Sequence, residues 1–446
     1  MKIVLISPKG PLYRNKGGIF KKTLRYQPLT LTTLAALIPA ELNAEVALID
    51  EGIEEVSANI EADLVGMTVI TGNSKRAYEL AQKFRRRGIT VVLGGPHITL
   101  LPDEAQQHAD AICVGYAEET WPQLLRDFVH GELKPIYRQS VSFSFENLAP
   151  ANRPFPKREL LNKNHYLTQA VFEATRSCRH DCEFCVAPSA WGRKQLQKPV
   201  AWVVEDIRRV GEKKIIFVDL NLIADKDYAK ELCRALIPLN VKWFGLSTVL
   251  IAHDPELMEL MARSGCRGLL LGLETVSEGS LGDAKKVFNA SVDFKAMIQD
   301  LHKLGISIQG CFVFGLDHDT VDVFDATVEF AIDTGIELPR FSVLTPFPGT
   351  PLFHRLQQER RINLYDWELY DGQHVVFQPK NMTVPELVEG HERAWKQVYR
   401  WSAIAKRLWR AKNFQPLSVS VNIGYRFYAH HLHQEVTSKS KGLDSI

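Results

Sequence analysis

The sequence predicts an α/β protein with three successive parts. Residues 1–140 are predicted to form a doubly wound, five-stranded parallel sheet, and residues 166–350 a partial (β/α)6 barrel. In both parts, short and almost continuously apolar segments alternate with amphipathic ones, as strands of a parallel sheet covered by helices do. Closely spaced prolines interrupt the alternation in residues 141–165, which are predicted to be a linker. Residues 351–446 are rich in aromatic residues and have a helical pattern, which predicts a helical C-terminal region.

The first series gives five strands with helices between them. The predicted strands are Lys2–Ser7, Glu45–Asp50, Leu64–Thr71, Val91–Gly95 and Ala111–Gly115. The predicted helices are Leu29–Ile38, Lys75–Arg87 and Glu119–Val129. Sheets of this kind bind their ligands at the carboxyl ends of the strands, so any ligand of this part is expected there.

The second series gives six strands, two short of a complete eight-stranded barrel. The predicted strands are Ala170–Arg176, Lys214–Asp219, Lys242–Ser247, Gly268–Leu273, Ser307–Phe314 and Arg340–Thr345. The predicted helices are Val200–Val210, Asp227–Leu236, Pro255–Arg263, Phe294–Leu304 and Thr320–Thr334. In such barrels the active site lies at the carboxyl ends of the strands.

Composition excludes several broad classes of protein. The 446 residues are 45% hydrophobic and 24% charged, with a net charge of +2, so no overall field favours a nucleic acid partner. The longest apolar runs are too short to cross a bilayer. The N-terminus begins with a strand pattern and has no secretory signal, and we therefore expect a cytoplasmic protein.

Three of the seven cysteines, Cys178, Cys182 and Cys185, lie within eight residues at the end of the first barrel strand. Such a cluster in a cytoplasmic chain indicates a metal site, because thiolates three or four positions apart on a loop can converge on one centre. Three thiolates suit a four-iron cluster with one open iron. A zinc site would need a fourth ligand such as His180.

The Cys-x3-Cys-x2-Cys spacing, with the aromatic Phe184 before the third cysteine and a partial barrel following, resembles the radical S-adenosylmethionine (SAM) superfamily. The resemblance implies a 4Fe-4S cluster on Cys178, Cys182 and Cys185, with SAM chelated to the open iron. It also implies cleavage of SAM to a 5′-deoxyadenosyl radical that abstracts hydrogen from the substrate. Phe184 would pack against the SAM adenine or shield the cluster.

The resemblance extends to other strand ends of the barrel. Asp219 and Asn221 follow the second strand, where the superfamily commonly binds the SAM amino group, although Asn221 or Asp225 could instead cap the next helix. Glu274, in Gly-Leu-Glu-Thr, resembles an element that reaches the SAM ribose or positions a basic partner. Gln309 precedes a glycine in the fifth strand, where backbone could approach SAM.

A doubly wound domain before such a barrel resembles the cobalamin-binding class of radical SAM enzymes. Residues at three strand ends would line the path of the cobalamin nucleotide tail: Thr71, Gly94, Gly95, Gly115 and Glu118. The Asp-x-His-x-x-Gly signature is absent and the first histidine is His97, so we expect cobalamin without a histidine lower ligand. The alternative is a flavodoxin-like domain that binds no cobalamin.

A basic helix is predicted near the C-terminus. Residues 393–412 contain seven basic residues and no acidic ones, with Trp395, Trp401 and Trp409 among them. Such a helix can make a peripheral contact with an anionic membrane. Alternatively it is a solvated face whose tryptophans pack on the barrel, which we favour because such faces are common.

The resemblance predicts a cobalamin-dependent C-methyltransferase that uses two SAM molecules per turnover, one as the methyl donor and one as the radical source. Its substrate would be an apolar or polycyclic small molecule, for instance a lipid or a tetrapyrrole, and its reductant a flavodoxin or ferredoxin. One alternative is a radical cyclase or rearrangement enzyme without methyl transfer. Another is a non-catalytic iron–sulfur or cobalamin sensor.

Overall fold

The computed structural model describes residues 1–10, 26–57, 59–148, 153–283, 286–411 and 416–440. The first part is a single sheet of six strands, all parallel, in the order β2-β1-β3-β4-β5-β6. Its strands are β1 (Lys2–Ser7), β2 (Glu45–Asp50), β3 (Leu64–Thr68), β4 (Thr90–Gly94), β5 (Ala111–Val114) and β6 (Ile136–Arg138). The central strands are buried on both faces, which explains why they are almost continuously apolar.

The sequence predicted five strands, and the sixth strand, β6, corrects that number. It adds to the outer edge of β5, with Ile136 opposite Ile112. Only Tyr137 of its three residues is buried. A strand this short, and at an edge, carries no repeating apolar pattern from which it could be predicted.

The second part is a six-stranded parallel sheet in the order β14-β13-β12-β11-β10-β7, which confirms the predicted number of barrel strands. Its strands are β7 (Val171–Phe172), β10 (Lys214–Phe217), β11 (Lys242–Ser247), β12 (Cys266–Glu274), β13 (Ser307–Phe314) and β14 (Arg340–Val343). A separate antiparallel ribbon pairs β8 (Thr175–Arg176) with β9 (Leu196–Gln197). The predicted strand Ala170–Arg176 is therefore two strands, separated by Glu173 and Ala174.

Helices cover both sheets. They are α1 (Leu29–Ala36), α2 (Ser74–Arg85), α3 (Pro96–Leu100), α4 (Pro102–Gln106), α5 (Ala117–His130), α6 (Val186–Trp191), α7 (Val200–Val210), α8 (Lys226–Leu236), α9 (Pro255–Arg263), α10 (Glu278–Asp283), α11 (Phe294–Lys303), α12 (Val323–Thr334), α13 (Pro351–Gln358), α14 (Val384–Val398), α15 (Trp401–Ala411) and α16 (Pro416–Ser440). None of the helices within these described stretches is both long and apolar enough to cross a membrane.

Ordered contacts cross the stretch between the two sheets. Phe145 is fully buried against Trp202 of α7, with their ring centroids 5.8 Å apart. The Arg158 guanidinium donates two hydrogen bonds to Asp206, of 2.8 and 2.9 Å. The stretch predicted to be a linker therefore carries side chains that pack on the barrel.

Candidate active site

The cysteine loop begins where β8 ends at the carboxyl side of the barrel. Ser177 has a left-handed backbone, with φ of 65°, and its buried hydroxyl donates to the Gly192 carbonyl. The loop then turns back, because the Cys185 N–H donates to the Cys182 carbonyl over 3.0 Å. All three cysteines carry free thiols; Cys182 is buried, and Cys178 and Cys185 are partly exposed.

The donor set of this loop fits an iron–sulfur cluster with an open iron. It offers three thiols, while the other four cysteines lie outside the loop, in β5, α8, β12 and β13. Burial raises the pKa of the Cys182 thiol to about 12 and also raises the pKa of Cys185, so metal binding must displace their protons. Among the described side chains, no three His, Cys, Asp or Glu residues are gathered as ligands of a single metal ion, and His180 completes no such set.

A chain of ion pairs fastens the cysteine loop to the C-terminal region. Glu183, next to Cys182, accepts two hydrogen bonds from the guanidinium of Arg355 in α13, of 2.7 and 3.3 Å. Arg355 also donates to Asp317 beyond β13, over 2.7 Å, and Arg361 donates to the other Asp317 oxygen over 2.7 Å. Burial alone would raise the pKa of Asp317, but the two guanidinium groups hold it below its usual range.

The two predicted SAM-binding residues that follow β10, Asp219 and Asn221, have different surroundings. The buried Asp219 carboxylate accepts hydrogen bonds from the backbone N–H groups of Ala174 and Thr175 and from the Thr175 hydroxyl, the last over 2.8 Å. Burial and then the negative charge of Glu173 raise the pKa of Asp219 to about 6. Because Asp219 is already saturated, its observed role is to fix the bend between β7 and β8. This arrangement gives no support to the predicted contact with SAM.

Asn221 lies against the cysteine loop. Its amide nitrogen is 3.7 Å from Cys178 Sγ, whereas its buried amide oxygen has no hydrogen-bond partner among the described residues. The cap of α8 is Asp225, which accepts from the Tyr228 N–H over 3.0 Å, so Asn221 is not the cap. A buried acceptor without a partner is costly, and a donor supplied by a bound ligand beside Cys178 would satisfy it. This fits the predicted SAM contact of Asn221.

Glu274 pairs with a lysine that the sequence did not single out. Its carboxylate lies 2.5 Å from Lys286 Nζ, and both side chains are about nine-tenths buried. Burial alone would lower the pKa of Lys286, but Glu274 and the neighbouring Cys182 and Cys185 raise it above its usual value. Glu274 itself has a left-handed backbone, with φ of 67°. Of the two roles implied by the resemblance, the structure supports the positioning of a basic partner.

The two remaining barrel candidates are Gln309 and Phe184. Gln309 occupies the N-terminal half of β13 and donates to the hydroxyl of Tyr425 in α16 over 3.4 Å. This hydrogen bond gives no support to a contact between the Gln309 side chain and SAM, and the approach of SAM to the backbone here stays a prediction. Phe184 is half-buried and packs on the barrel core, which leaves part of its ring exposed beside the cysteines.

A cavity of about 390 Å³ opens between the two sheets. Its deep end lies on the face of the first sheet covered by α1 and α5, where Leu5, Gly66 and Trp121 line it. Its mouth is at the carboxyl ends of the strands, next to the barrel residues Arg176 and Leu220. The volume lies in the usual range of small-molecule sites, and the lining is mostly apolar.

Three predicted glycines line the mouth of this cavity. Gly95 has φ of 110°, and a Cβ there would lie 2.6 Å from the Val69 carbonyl oxygen. Gly115 has φ of 91°, and a Cβ there would lie 2.8 Å from the side chain of Gln139. Gly94 has room, because its nearest neighbour would be Cys113 Cβ at 3.5 Å. The backbone conformation therefore requires glycine at positions 95 and 115, whereas Gly94 could carry a side chain.

Within the described part of the chain, no histidine lines the cavity. His97 is fully buried elsewhere, with its ring nitrogens 3.4 Å from Thr71 Oγ1 and 3.2 Å from Glu104 Oε1. Thr71 is also absent from the lining, so its predicted contact with the cobalamin tail lacks support. The expectation of a site without a histidine ligand is consistent with this arrangement.

The mouth of the cavity also contains a buried charge network that joins the two sheets. Arg176, two residues before Cys178, pairs with Glu118 of α5 over 2.5 Å and with Glu173 over 2.7 Å. Burial alone would raise the pKa of Glu173, but the charges of Arg176 and Lys198 hold it below its usual value. One Glu118 oxygen and the Tyr116 hydroxyl are buried without a hydrogen-bond partner among the residues that the structure describes. Cobalamin, whose periphery carries amide donors, would satisfy both atoms, so these residues fit it.

The fold and this site define an iron–sulfur enzyme with a second cofactor-binding domain, and comparison with known proteins is in agreement. Residues 23–125 match the B12 binding domain, residues 172–331 the radical SAM superfamily, and residues 350–432 a domain of unknown function.

Two named relatives and one solved structure match most of the chain. A bacteriochlorophyllide d C-12(1)-methyltransferase of Chlorobaculum tepidum is 33% identical over 85% of this chain and 84% of its own length. The C-8(2)-methyltransferase of the same organism is 30% identical over 85% of this chain and 87% of its own length. The solved structure of TsrM from Kitasatospora setae, with cobalamin and a [4Fe-4S] cluster bound, superimposes with a TM-score of 0.64. It is 16% identical and covers 93% of this chain and 89% of its own.

The chain belongs to the family of cobalamin-binding radical SAM methyltransferases. It is thus an enzyme whose cofactors are a 4Fe-4S cluster, SAM and cobalamin. Membership of this family rules out the sensor alternative and the flavodoxin-like domain without cobalamin.

Proposed function

We propose that this enzyme methylates an unactivated carbon of a tetrapyrrole, on a substituent of the macrocycle. The proposal rests on the cavity between the carboxyl ends of the two sheets, because it connects the first domain to the cysteine loop through a largely apolar space. The two bacteriochlorophyllide methyltransferases support the substrate class, since their similarity spans both cofactor domains and the C-terminal region.

We assign distinct roles to the residues of the site. Cys178, Cys182 and Cys185 hold the cluster, and Asn221 and the Glu274–Lys286 pair hold SAM next to it. Glu118, Gly94, Gly95 and Gly115 receive cobalamin at the mouth of the cavity. When bound, these cofactors supply hydrogen abstraction and methyl transfer to carbon.

The apolar wall of the site has a second function. Tyr116 and Trp191 stack with their ring centroids 5.6 Å apart, and Arg176 covers the Tyr116 ring at 4.9 Å. This layer lies at the junction of the two domains and keeps bulk water from the cavity mouth. Such closure also keeps reductants and other hydrogen donors in solution away from the reactive carbon centre, which they would otherwise quench.

The substrate class is tested with the reconstituted enzyme under anaerobic conditions and a chemical reductant. A bacteriochlorophyllide-type tetrapyrrole and a hopanoid are offered separately with SAM, and products are identified by mass spectrometry. We expect a product heavier by one methylene unit from the tetrapyrrole alone. Methylation of the hopanoid but not of the tetrapyrrole would overturn the substrate class and leave the methyltransferase activity in place.

The cobalamin arrangement is tested separately. Hydroxocobalamin is titrated into the apoprotein, reduced by one electron, and examined by EPR. We expect no nitrogen superhyperfine splitting, because we propose that the dimethylbenzimidazole tail leaves the cobalt on binding and that no histidine replaces it. None of the described histidines lines the cavity, and His97 is held by Thr71 and Glu104. Nitrogen splitting that disappears in His97→Ala would show that His97 is a ligand after all.

A further inference from the structure

The C-terminal helices α15 and α16 present an exposed aromatic and basic surface. Trp401 and Trp409 are 58% and 84% exposed. Only Trp395 of the three tryptophans is buried, so the favoured prediction that these tryptophans pack on the barrel is wrong for the other two. The neighbouring Ile423 and Phe427 of α16 are 47% and 44% exposed. We call Trp401, Trp409, Ile423 and Phe427 the aromatic face.

The two helices are firmly attached, so this exposure is a property of the fold. Arg407 of α15 is fully buried and donates to the Ile336 and Glu337 carbonyls, over 2.9 and 2.5 Å. It also donates to Asn422 of α16 over 2.9 Å. Because these bonds fix one side of α15 against the barrel, its opposite side faces outward.

The residues of the aromatic face follow helical spacing within each helix, and a cation–π contact joins the two helices. Arg426 of α16 covers the Trp401 ring at 4.8 Å. Ile423 and Phe427 are four residues apart on α16, and Trp401 and Trp409 are eight apart on α15, both spacings that keep side chains on one side of a helix.

The chain segment that carries this face is basic. Residues 393–432 contain eight lysines and arginines and no aspartate or glutamate. Asp333 of α12 approaches Lys406 and Arg410, but Arg400 and Arg426 form no ion pair with an acidic side chain in the described part of the chain. Asp325 and Glu392 pair with Arg393 and Lys396 in the same way, so the excess positive charge is carried mainly by Arg400 and Arg426. An exposed aromatic surface with an excess of basic residues matches a surface that is both apolar and negative.

We propose that the aromatic face docks this enzyme on an anionic lipid bilayer, with the tryptophans at the level of the lipid headgroups. Tryptophan favours this zone because its ring is apolar and its N–H is polar. A second copy of the chain is a poorer occupant, since a twofold contact would bring like charges together. This proposal does not depend on the substrate being a tetrapyrrole.

The test uses the full-length protein and two kinds of vesicle: pure phosphatidylcholine, and phosphatidylcholine with about a third phosphatidylglycerol. We expect the protein to sediment with the anionic vesicles only, and binding to weaken as salt is added. Trp401→Ser with Trp409→Ser should lower binding at least about tenfold. Arg400→Gln with Lys406→Gln should lower it about fivefold per charge at low salt.

Matched variants elsewhere control for general effects. Val141→Ser removes another fully exposed apolar side chain, and Lys83→Gln with Arg86→Gln removes two exposed charges at the C-terminal end of α2. Neither should change vesicle binding, and all variants should keep the thermal unfolding midpoint of the wild type. Unchanged binding of the tryptophan variant, or no binding of the wild type, would overturn the proposal. Self-association that the tryptophan variant abolishes, without vesicle binding, would identify the face as a contact between copies.

Discussion

The carboxyl ends of the strands of the two sheets meet at the cavity, and the residues at these two edges differ. The edge of the first sheet, which we call the glycine edge, consists of Gly94, Gly95 and Gly115 and provides space. The edge of the barrel, the cysteine edge, carries three thiols on a loop that the partly buried ion pair Glu183–Arg355 anchors, and the buried pair Glu274–Lys286 lies at the same edge. A large preformed cofactor needs room, whereas a cluster needs ligands held in place. At the carboxyl ends of its strands, the first domain thus has glycines that leave space for a cofactor. The barrel has side chains there that ion pairs hold in place.

The largest effect is expected from removing the thiols of the cysteine edge. Replacing Cys178, Cys182 and Cys185 together with Ala should abolish iron binding and SAM cleavage, because no alternative thiols lie on this loop. The reconstituted wild type should contain about four irons and four sulfides per chain. The control Cys233→Ala, in α8, should reconstitute normally. Wild-type protein that takes up zinc and no iron would contradict the cluster.

Substitutions at two adjacent residues of the glycine edge should have different effects. Gly94 leaves space for the cofactor, whereas Gly95 has a backbone conformation that requires glycine. Gly94→Val should fill the cavity and weaken cobalamin binding about tenfold or more, while the unfolding midpoint changes little. Gly95→Ala should instead destabilise the fold by about 1–3 kcal/mol or more, because φ of 110° with ψ of 179° belongs to glycine.

Absorbance titration with hydroxocobalamin and thermal unfolding together distinguish the two cases. Gly282→Ala is the control, since a Cβ there meets nothing within 4 Å. If Gly94→Val bound cobalamin with wild-type affinity, the cofactor would not use this mouth.

An intermediate effect is expected at the Glu274–Lys286 pair. Glu274→Gln should leave the cluster spectrum intact but weaken SAM binding about tenfold, because the buried Lys286 loses the carboxylate that orients it. The comparison variant is Glu256→Gln, whose partners Lys230 and Arg234 form a surface cluster and whose loss should leave both SAM binding and stability almost unchanged. Equilibrium binding of SAM measures the effect. Unchanged binding would reduce Glu274 to a structural residue.

The smallest effect is expected at the clamp between the cysteine loop and α13. Arg355→Met should lower the unfolding free energy by about 1–2 kcal/mol and hasten the loss of the cluster to a chelator, because Glu183 loses its bidentate partner. Arg361→Met is the matched control, since it leaves Glu183 paired with Arg355. Equal rates of cluster loss in the two variants would show that the clamp does not hold the loop.

The sequence predicted most strands because parallel strands buried on both faces are almost wholly apolar. It missed β6, which has three residues and one buried side chain. It found the thiols, whose spacing is local, but missed Lys286 and Arg355, whose partners Glu274 and Glu183 are 12 and 172 residues away. The hydrogen bonds of Asp219 to Thr175 and of Gln309 to Tyr425 likewise depend on tertiary packing and could not be predicted from local sequence.

The central claim, methyl transfer to carbon by radical chemistry, is tested most directly with SAM that carries a trideuterated methyl group. The reconstituted enzyme, cobalamin, a reductant and the tetrapyrrole are incubated, and all products are quantified by mass spectrometry. We predict a product with three deuterium atoms in one added methyl group, because the proposed route transfers the methyl group intact. We also predict equal amounts of 5′-deoxyadenosine and S-adenosylhomocysteine. 5′-Deoxyadenosine formed without S-adenosylhomocysteine, with a product that gains no label, would contradict methyl transfer and indicate a radical cyclase or rearrangement enzyme.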